Sequence, residues 1–321
     1  MFLSPAFVDT KHSTVMIRVC CLQNLCIRHA FKTIFNVART DFIFISGVRS
    51  ERNHGIVEAN RIIGGNTANI EDFPYQLSLE ISGAQICGAA ILSDIWVITA
   101  AHCVARCRVL QCKEGASQER NAAMSFLGLI MNNPIFGLIK SRSGPDLILR
   151  AGTSLRGDGG STHHPQMVIT HRGYSPVTQD NDIALIKVDP PFNLSTTVQP
   201  AHLPVSGREP PQGSSATVTG WGVTREGSRS GSKFLQQAKL YILPRNECLK
   251  TYPQFTRTML CAGDRTGGHD SCQGDSGGPL TVNGTLVGLV SFGRGCGRPG
   301  IPGVYSNVAA LRNWIGKNTG L

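Results

Sequence analysis

Short apolar runs broken by turn residues dominate this chain, and long amphipathic stretches are rare. In YQLSLEI, Tyr75, Leu77, Leu79 and Ile81 alternate with Gln76, Ser78 and Glu80. That period of two predicts a strand with one face buried and one facing water. Similar runs recur at IWVIT (95–99), MVIT (167–170), IALIKV (183–188), ATVTGW (216–221), AKLYIL (238–243), TLVGLVSF (285–292) and GVYSNV (303–308), separated by Gly, Pro, Ser and Asn. Short strands with such punctuation predict antiparallel barrels or sandwiches, and exclude a βαβ architecture. Only the tail, VAALRNWIGKN, reads clearly as helix: Val308, Leu311 and Ile315 share a face, with Trp314 beside them. The 321 residues suffice for one large β domain or two smaller units.

Candidate chemistry sits in the loops between these runs. DSCQGDSGGPL (270–280) places Ser276 among glycines. Gly, Asp and Ser are ordinary turn residues, so a plain surface loop is one reading. The other is a nucleophile: a sharply turned backbone exposes the hydroxyl and leaves amide N–H groups free to hold an oxyanion. A serine hydroxyl needs a base, and the base needs an orienting carboxylate. WVITAAHC (96–103) supplies His102 and DNDIALIKV (180–188) supplies Asp182. Taken singly, His102 beside Cys103 could be structural or a metal ligand, and Asp182 a cap. Their order along the chain, His then Asp then Ser, excludes the α/β-hydrolase arrangement, in which the serine comes first.

At this point the chain resembles the trypsin-like serine proteases of the chymotrypsin family, over roughly residues 62–321. The motifs are RIIGG (61–65), TAAHC (99–103), DNDIAL (180–185), TGWG (219–222), DSCQGDSGGP (270–279), SFG (291–293) and PGVY (302–305). The resemblance implies an all-β fold of two six-stranded antiparallel β-barrels, a C-terminal α-helix closing the second, and a catalytic triad in the cleft between them. His102, Asp182 and Ser276 would form that triad, with the N–H groups of Gly274 and Ser276 as the oxyanion hole. Asp270 would floor the primary pocket between Gly293 and Gly303, implying cleavage after Arg or Lys. Ser291, Phe292 and Gly293 would pair with the substrate backbone as an added strand; Phe292 stands where Trp is commoner. Arg61-Ile62 would be the activation cut, freeing an amine at Ile62 to pair with Asp275. The implied disulfides are Cys87–Cys103, Cys248–Cys261 and Cys272–Cys296.

The remaining features refine that picture. Eleven cysteines leave an odd one, and Cys20, Cys21, Cys26, Cys107 and Cys112 have no family partner. Zinc at Cys107 and Cys112 lacks a second close ligand pair. The net charge of +10 is spread unevenly: +4 over residues 1–61, +3 over 104–149 and +3 over the rest. No Lys/Arg stripe is interleaved with aromatics, which argues against nucleic acid, while heparin or matrix binding stays open.

The disulfides imply secretion to the extracellular space, so residues 1–61 should hold a leader and an activation peptide; yet no clean apolar core follows Met1 or Met16. An atypical insertion at about 104–149 widens the gap between His102 and Asp182 to 80 positions. Its apolar stretch is broken at Asn132-Asn133-Pro134 and reads as a long loop, or as sequence that is no part of the mature chain, sooner than as a membrane helix. Residues 155–164, where many relatives bind calcium, offer one carboxylate, Asp158, so no metal and no cofactor is expected. Asn193 and Asn283 lie in glycosylation sequons.

The expected protein is thus a secreted, monomeric serine endopeptidase zymogen. Its partners would be protein substrates, protease inhibitors and an activating trypsin-like protease. Digestion is the first expected role and a regulatory cascade the second. The competing readings are a non-catalytic homologue acting as a binding cofactor and a product whose insertion prevents folding.

Overall fold

A computed structural model describes residues 62–105 and 147–321. The N-terminal extension and most of the insertion, with Arg61 and the five unassigned cysteines, lie outside the described residues. Within them, six strands close the first barrel in the order β2 (Gln76–Ile81), β3 (Ala84–Ile91), β4 (Trp96–Thr99), β7 (Ala184–Asp189), β6 (Ser161–Thr170) and β5 (Leu147–Ala151). The second barrel runs β8 (Ser215–Gly220), β9 (Gln236–Ile242), β10 (Met259–Gly263), β13 (Gly303–Asn307), β12 (Thr285–Phe292) and β11 (Pro279–Val282). It closes through β11–β8 pairing, and the short β1 (Asn66–Thr67) adds to β9. Every named pair is antiparallel. The two-barrel architecture implied by the sequence is therefore the one observed.

The alternation in YQLSLEI holds, but its consequence differs from expectation. Leu77 and Leu79 are fully buried in the first core, and Gln76, Ser78 and Glu80 are buried as well. The supposed wet face of β2 is covered by polar partners. Thr219 Oγ1 of the second barrel donates to Gln76 Oε1 at 2.6 Å. Ser78 Oγ and the Arg150 guanidinium both donate to Glu80. Buried polar groups persist where each has such a partner.

Among the described residues three α-helices accompany the barrels: α1 (Ala101–Val104), α2 (Arg245–Thr251) and α3 (Val308–Thr319). α3 follows the expected face, with Val308, Leu311 and Ile315 buried. Asn307 caps its start by accepting from the Ala310 N–H, and Gly320 ends it at φ 78°. These apolar residues cluster with the core of the first barrel and with Leu286 and Leu289 of β12. The helix leaves the second barrel but fastens it to the first. His171 and Trp314 pack at the same junction, ring centroids 5.1 Å apart and planes tilted by 55°.

Candidate active site

Each triad candidate arrives on a different element. His102 sits in α1, directly after β4; Asp182 precedes β7; Ser276 lies in the loop before β11. Asp182 is almost wholly buried and its carboxylate is fully occupied. Oδ2 is 2.7 Å from His102 Nδ1, and Oδ1 accepts the His102 backbone N–H at 2.9 Å. Ser291 Oγ donates to Oδ2 at 2.6 Å, and Ser306 Oγ donates to the Asp182 carbonyl at 2.5 Å. The two serines come from the second barrel, so the His–Asp pair is locked across the interface. This service of Ser291 and Ser306 is missing from the sequence reading. A buried carboxylate beside a strand and two serines on distant strands carry no local signal of pairing.

Ser276 is held to the same interface from the other side. The Gly88 N–H of β3 donates to the Ser276 carbonyl at 2.7 Å. Cys103 Sγ lies 3.7 Å from His102 Nε2 and 3.5 Å from the Ser276 carbonyl, so histidine and serine converge on one disulfide. The Ser276 hydroxyl makes no hydrogen bond to His102 among the described residues, and such contacts tighten when substrate is engaged. Cysteines 87 and 103, 248 and 261, and 272 and 296 are disulfide-bonded. The trio Cys87, His102 and Cys103 is the one ligand-like cluster among the described residues. Both its sulfurs are spent in a disulfide, so it suits no metal.

A cavity of about 110 Å³ opens beside Ser276. Asp270, Ser291, Phe292, Gly293 and Gly303, all named from the sequence, line it together with Ser276. Ser271, Gln273, Val290 and Gly295 line it too and were not foreseen. Asp270 is buried; Oδ2 accepts the Gly297 N–H at 2.9 Å, whereas Oδ1 has no hydrogen-bond partner. Burial pushes its carboxyl up to about 7, against the pull of the Gly297 and Ser271 amides. A Cβ at Gly303 would stand 3.1 Å from Oδ1, so glycine keeps that approach open. Phe292 meets Tyr252 edge to face at 5.5 Å and forms an apolar wall.

Asp275 points away from the cavity into the second barrel and is completely buried. Its oxygens accept the Gly222 N–H at 2.8 Å and the Cys272 N–H at 2.9 Å. A Cβ on Gly222 would lie 2.5 Å from Oδ2, which explains the second glycine of TGWG as a close approach. Burial pushes this carboxyl up to about 6. Ile62 is fully buried among Ala216, Val218 and Tyr305, and the next residue, Ile63, accepts the Asp270 N–H at 3.3 Å. Gly274 adopts φ 98°, a conformation few side chains tolerate.

Comparison with known proteins agrees with this arrangement. The sequence model of the family described as Trypsin matches residues 62–131 and 142–315. A trypsin from Phaedon cochleariae is 38% identical over 261 residues, covering 80% of this chain and 88% of that protein. Trypsin 5G1 of Aedes aegypti is 36% identical over 267 residues, covering 82% and 86%. Among solved structures, neuropsin, a serine protease expressed in the limbic system of mouse brain, matches with a TM-score of 0.63 at 28% identity, covering 79% of this chain and 98% of that one. The chain belongs to the trypsin family and is a serine endopeptidase.

Proposed function

We propose that this endopeptidase is a secreted zymogen that cleaves protein chains after Arg or Lys. The observation that carries the reading is the orphan oxygen of Asp270 at the floor of the cavity beside Ser276. A carboxyl raised to about 7 by burial regains its charge when a cation enters, and a guanidinium can bind both oxygens. Relatives named trypsin favour a broad protein-degrading role over a regulatory one.

In the proposed mechanism Ser276 Oγ attacks the scissile carbonyl while His102 Nε2 takes its proton. Asp182 holds the imidazole through Nδ1 and balances its positive charge. The Gly274 and Ser276 N–H groups hold the oxyanion of the tetrahedral intermediate. His102 then protonates the leaving amine, and a water activated by the same histidine releases the acyl group from Ser276. Ser291, Phe292 and Gly293 hold the substrate backbone in register along the edge of β12.

Activation follows from Asp275. Its buried carboxyl has two amide donors and no cation among the described residues. Cleavage after Arg61, by another trypsin-like protease or by the enzyme itself, would create an ammonium at Ile62, whose side chain is already buried in the same barrel. Ile62 sits at φ 73°, a costly angle for a β-branched residue, and cutting its N-terminal peptide bond frees that torsion. Residues 62–321 are then the protease domain, and residues 1–61 the extension removed from it. Protein protease inhibitors would occupy the same cleft as substrates.

A serine-directed arylphosphonate bearing an Arg side chain tests the reading. The chain processed at Arg61 should take up one adduct at Ser276 by mass spectrometry, and a Phe analogue should react far more slowly. Equal labelling by both probes would sink the specificity.

A further inference from the structure

We infer that Gln85 is a positioning residue for the oxyanion hole. The inference rests on Gly274 and Ser276 being the oxyanion donors proposed above. Gln85 Nε2 donates to the Gly274 carbonyl at 3.0 Å and lies 3.4 Å from the Cys87 carbonyl. Three residues further along β3, the Gly88 N–H donates to the Ser276 carbonyl. One strand of the first barrel therefore grips both residues whose amides face the reacting carbonyl.

The two grips differ in kind. The Gly88 contact is made by backbone at a position where a Cβ would stand 2.8 Å from Gly278 Cα, whereas the Gln85 contact requires a side-chain donor of this length. Its direction is set by an irregularity in the ladder. Leu79 pairs with Cys87 and Glu80 with Gln85, so Ile86 is left unpaired, and such bulges re-aim neighbouring side chains. Gly274 needs this restraint more than its neighbours do. It has no side chain, lies at φ 98°, and can rotate between several backbone states at little cost. Cys272 and Asp275 are fixed by a disulfide and by buried hydrogen bonds. Gly274, between them, is held at its carbonyl by Gln85. Gln85 fixes the peptide on the C-terminal side of Gly274, and the Val223 N–H, donating to the Gln273 carbonyl at 2.8 Å, fixes the peptide that carries the Gly274 N–H; with both planes set, that N–H stays aimed into the cleft.

A donor that is correctly aimed matters in the transition state and not in ground-state binding. Losing one neutral hydrogen bond that orients it should weaken oxyanion binding roughly fivefold to tenfold. Removing the donor outright would cost about a hundredfold or more.

The test compares processed wild type with Gln85→Leu and Gln85→Glu, which lack the amide donor at nearly the same size. Two ligands are titrated: an Arg-peptide aldehyde, which forms an oxyanion on Ser276, and a small aromatic amidine, which contacts only the Asp270 pocket. The variants should bind the aldehyde roughly fivefold to tenfold more weakly, with kcat falling in step. Amidine affinity, KM and melting temperature should stay at wild-type values. Gln85→Lys, which restores an N–H donor, should recover most of the aldehyde affinity. Unchanged aldehyde binding in both variants, or equal weakening of aldehyde and amidine, would overturn the assignment. A wild type that hydrolyses Arg peptides yet shows no preference for the aldehyde over the amidine would instead overturn the oxyanion hole itself.

Discussion

Replacing Asp270 by Ser removes the group on which the proposed specificity rests, and the structure sets the size of the effect. Raising a carboxyl from 3.8 to about 7 corresponds to about 4 kcal/mol of opposed ionisation. An entering guanidinium must offset that cost, and gains a two-point hydrogen-bonded pair in doing so. Without the carboxylate the guanidinium enters the same buried floor with no counter-charge. Asp270→Ser should therefore lower kcat/KM for Arg peptides by roughly 10²–10³-fold, about 3–4 kcal/mol, and that for Phe or Leu peptides by less than about tenfold.

Burial itself can be tested through pH. In a Ser276→Ala background, the affinity of a small amidine should rise about tenfold per pH unit up to about 7 and then level off. The sign follows because a protonated carboxyl must lose its proton before it can pair with a cation. Amidine affinity that is flat from pH 5 to 8 would refute the claim that Asp270 is raised, and an Arg preference surviving in Asp270→Ser would refute its role.

Two other substitutions probe the remaining machinery. Asp182→Asn should lower kcat roughly 10²–10⁴-fold with little change in KM, because an amide in place of Oδ2 would face the His102 Nδ1–H and the Ser291 hydroxyl with one acceptor too few; stopped-flow acylation rates check this. Arg61→Gln should leave the chain nearly inactive towards Arg peptides until a new cut after residue 61 is engineered. In that uncut chain the Asp275 carboxyl lies near 6 against an ordinary 3.8, so the folded state holds an extra proton between those values. Thermal stability should therefore fall by up to about 3 kcal/mol as pH rises from about 4 through 6, and the processed enzyme, with Asp275 paired, should lose that slope.

Legibility in the sequence followed locality. Strands whose apolar residues alternate or run together, such as IALIKV and AKLYIL, were readable because their burial is decided within a few residues. β3, β10 and β11 were not, since AQICGAAI and PLTV owe their strand state to partners far along the chain. α2 escaped because RNECLKT buries one residue, Cys248, and has no apolar stripe. The candidate triad and pocket residues were named from motif context, not from periodicity. What motif context could not convey is how those side chains are held. The links from Ser291 and Ser306 to Asp182, Thr219 to Gln76, and Gln85 to Gly274 all join residues more than a hundred positions apart. The polar positions of β2 were misjudged as wet for the same reason: only the second barrel reveals that they are covered.

These long-range links share a consequence for how the enzyme is switched. His102 and Asp182 belong to the first barrel, and their geometry is fixed by serines of β12 and β13, within a core shared by both barrels through α3. Asp180 adds a further tie, accepting from Thr256 and Thr258 across the same seam. None of these contacts involves the new N-terminus, so the His–Asp pair should be as well formed before activation as after it. The segment from Asp270 to Ser276 differs. Ile63 pairs with Asp270 at one end, and Asp275 awaits a cation at the other. In the proposed zymogen, activation would therefore have little to do at the base and much to do at the pocket and the proposed oxyanion hole. An inactive precursor would be one whose histidine is ready and whose substrate site is not, and the ammonium at Ile62 would complete the latter by supplying a counter-charge to Asp275.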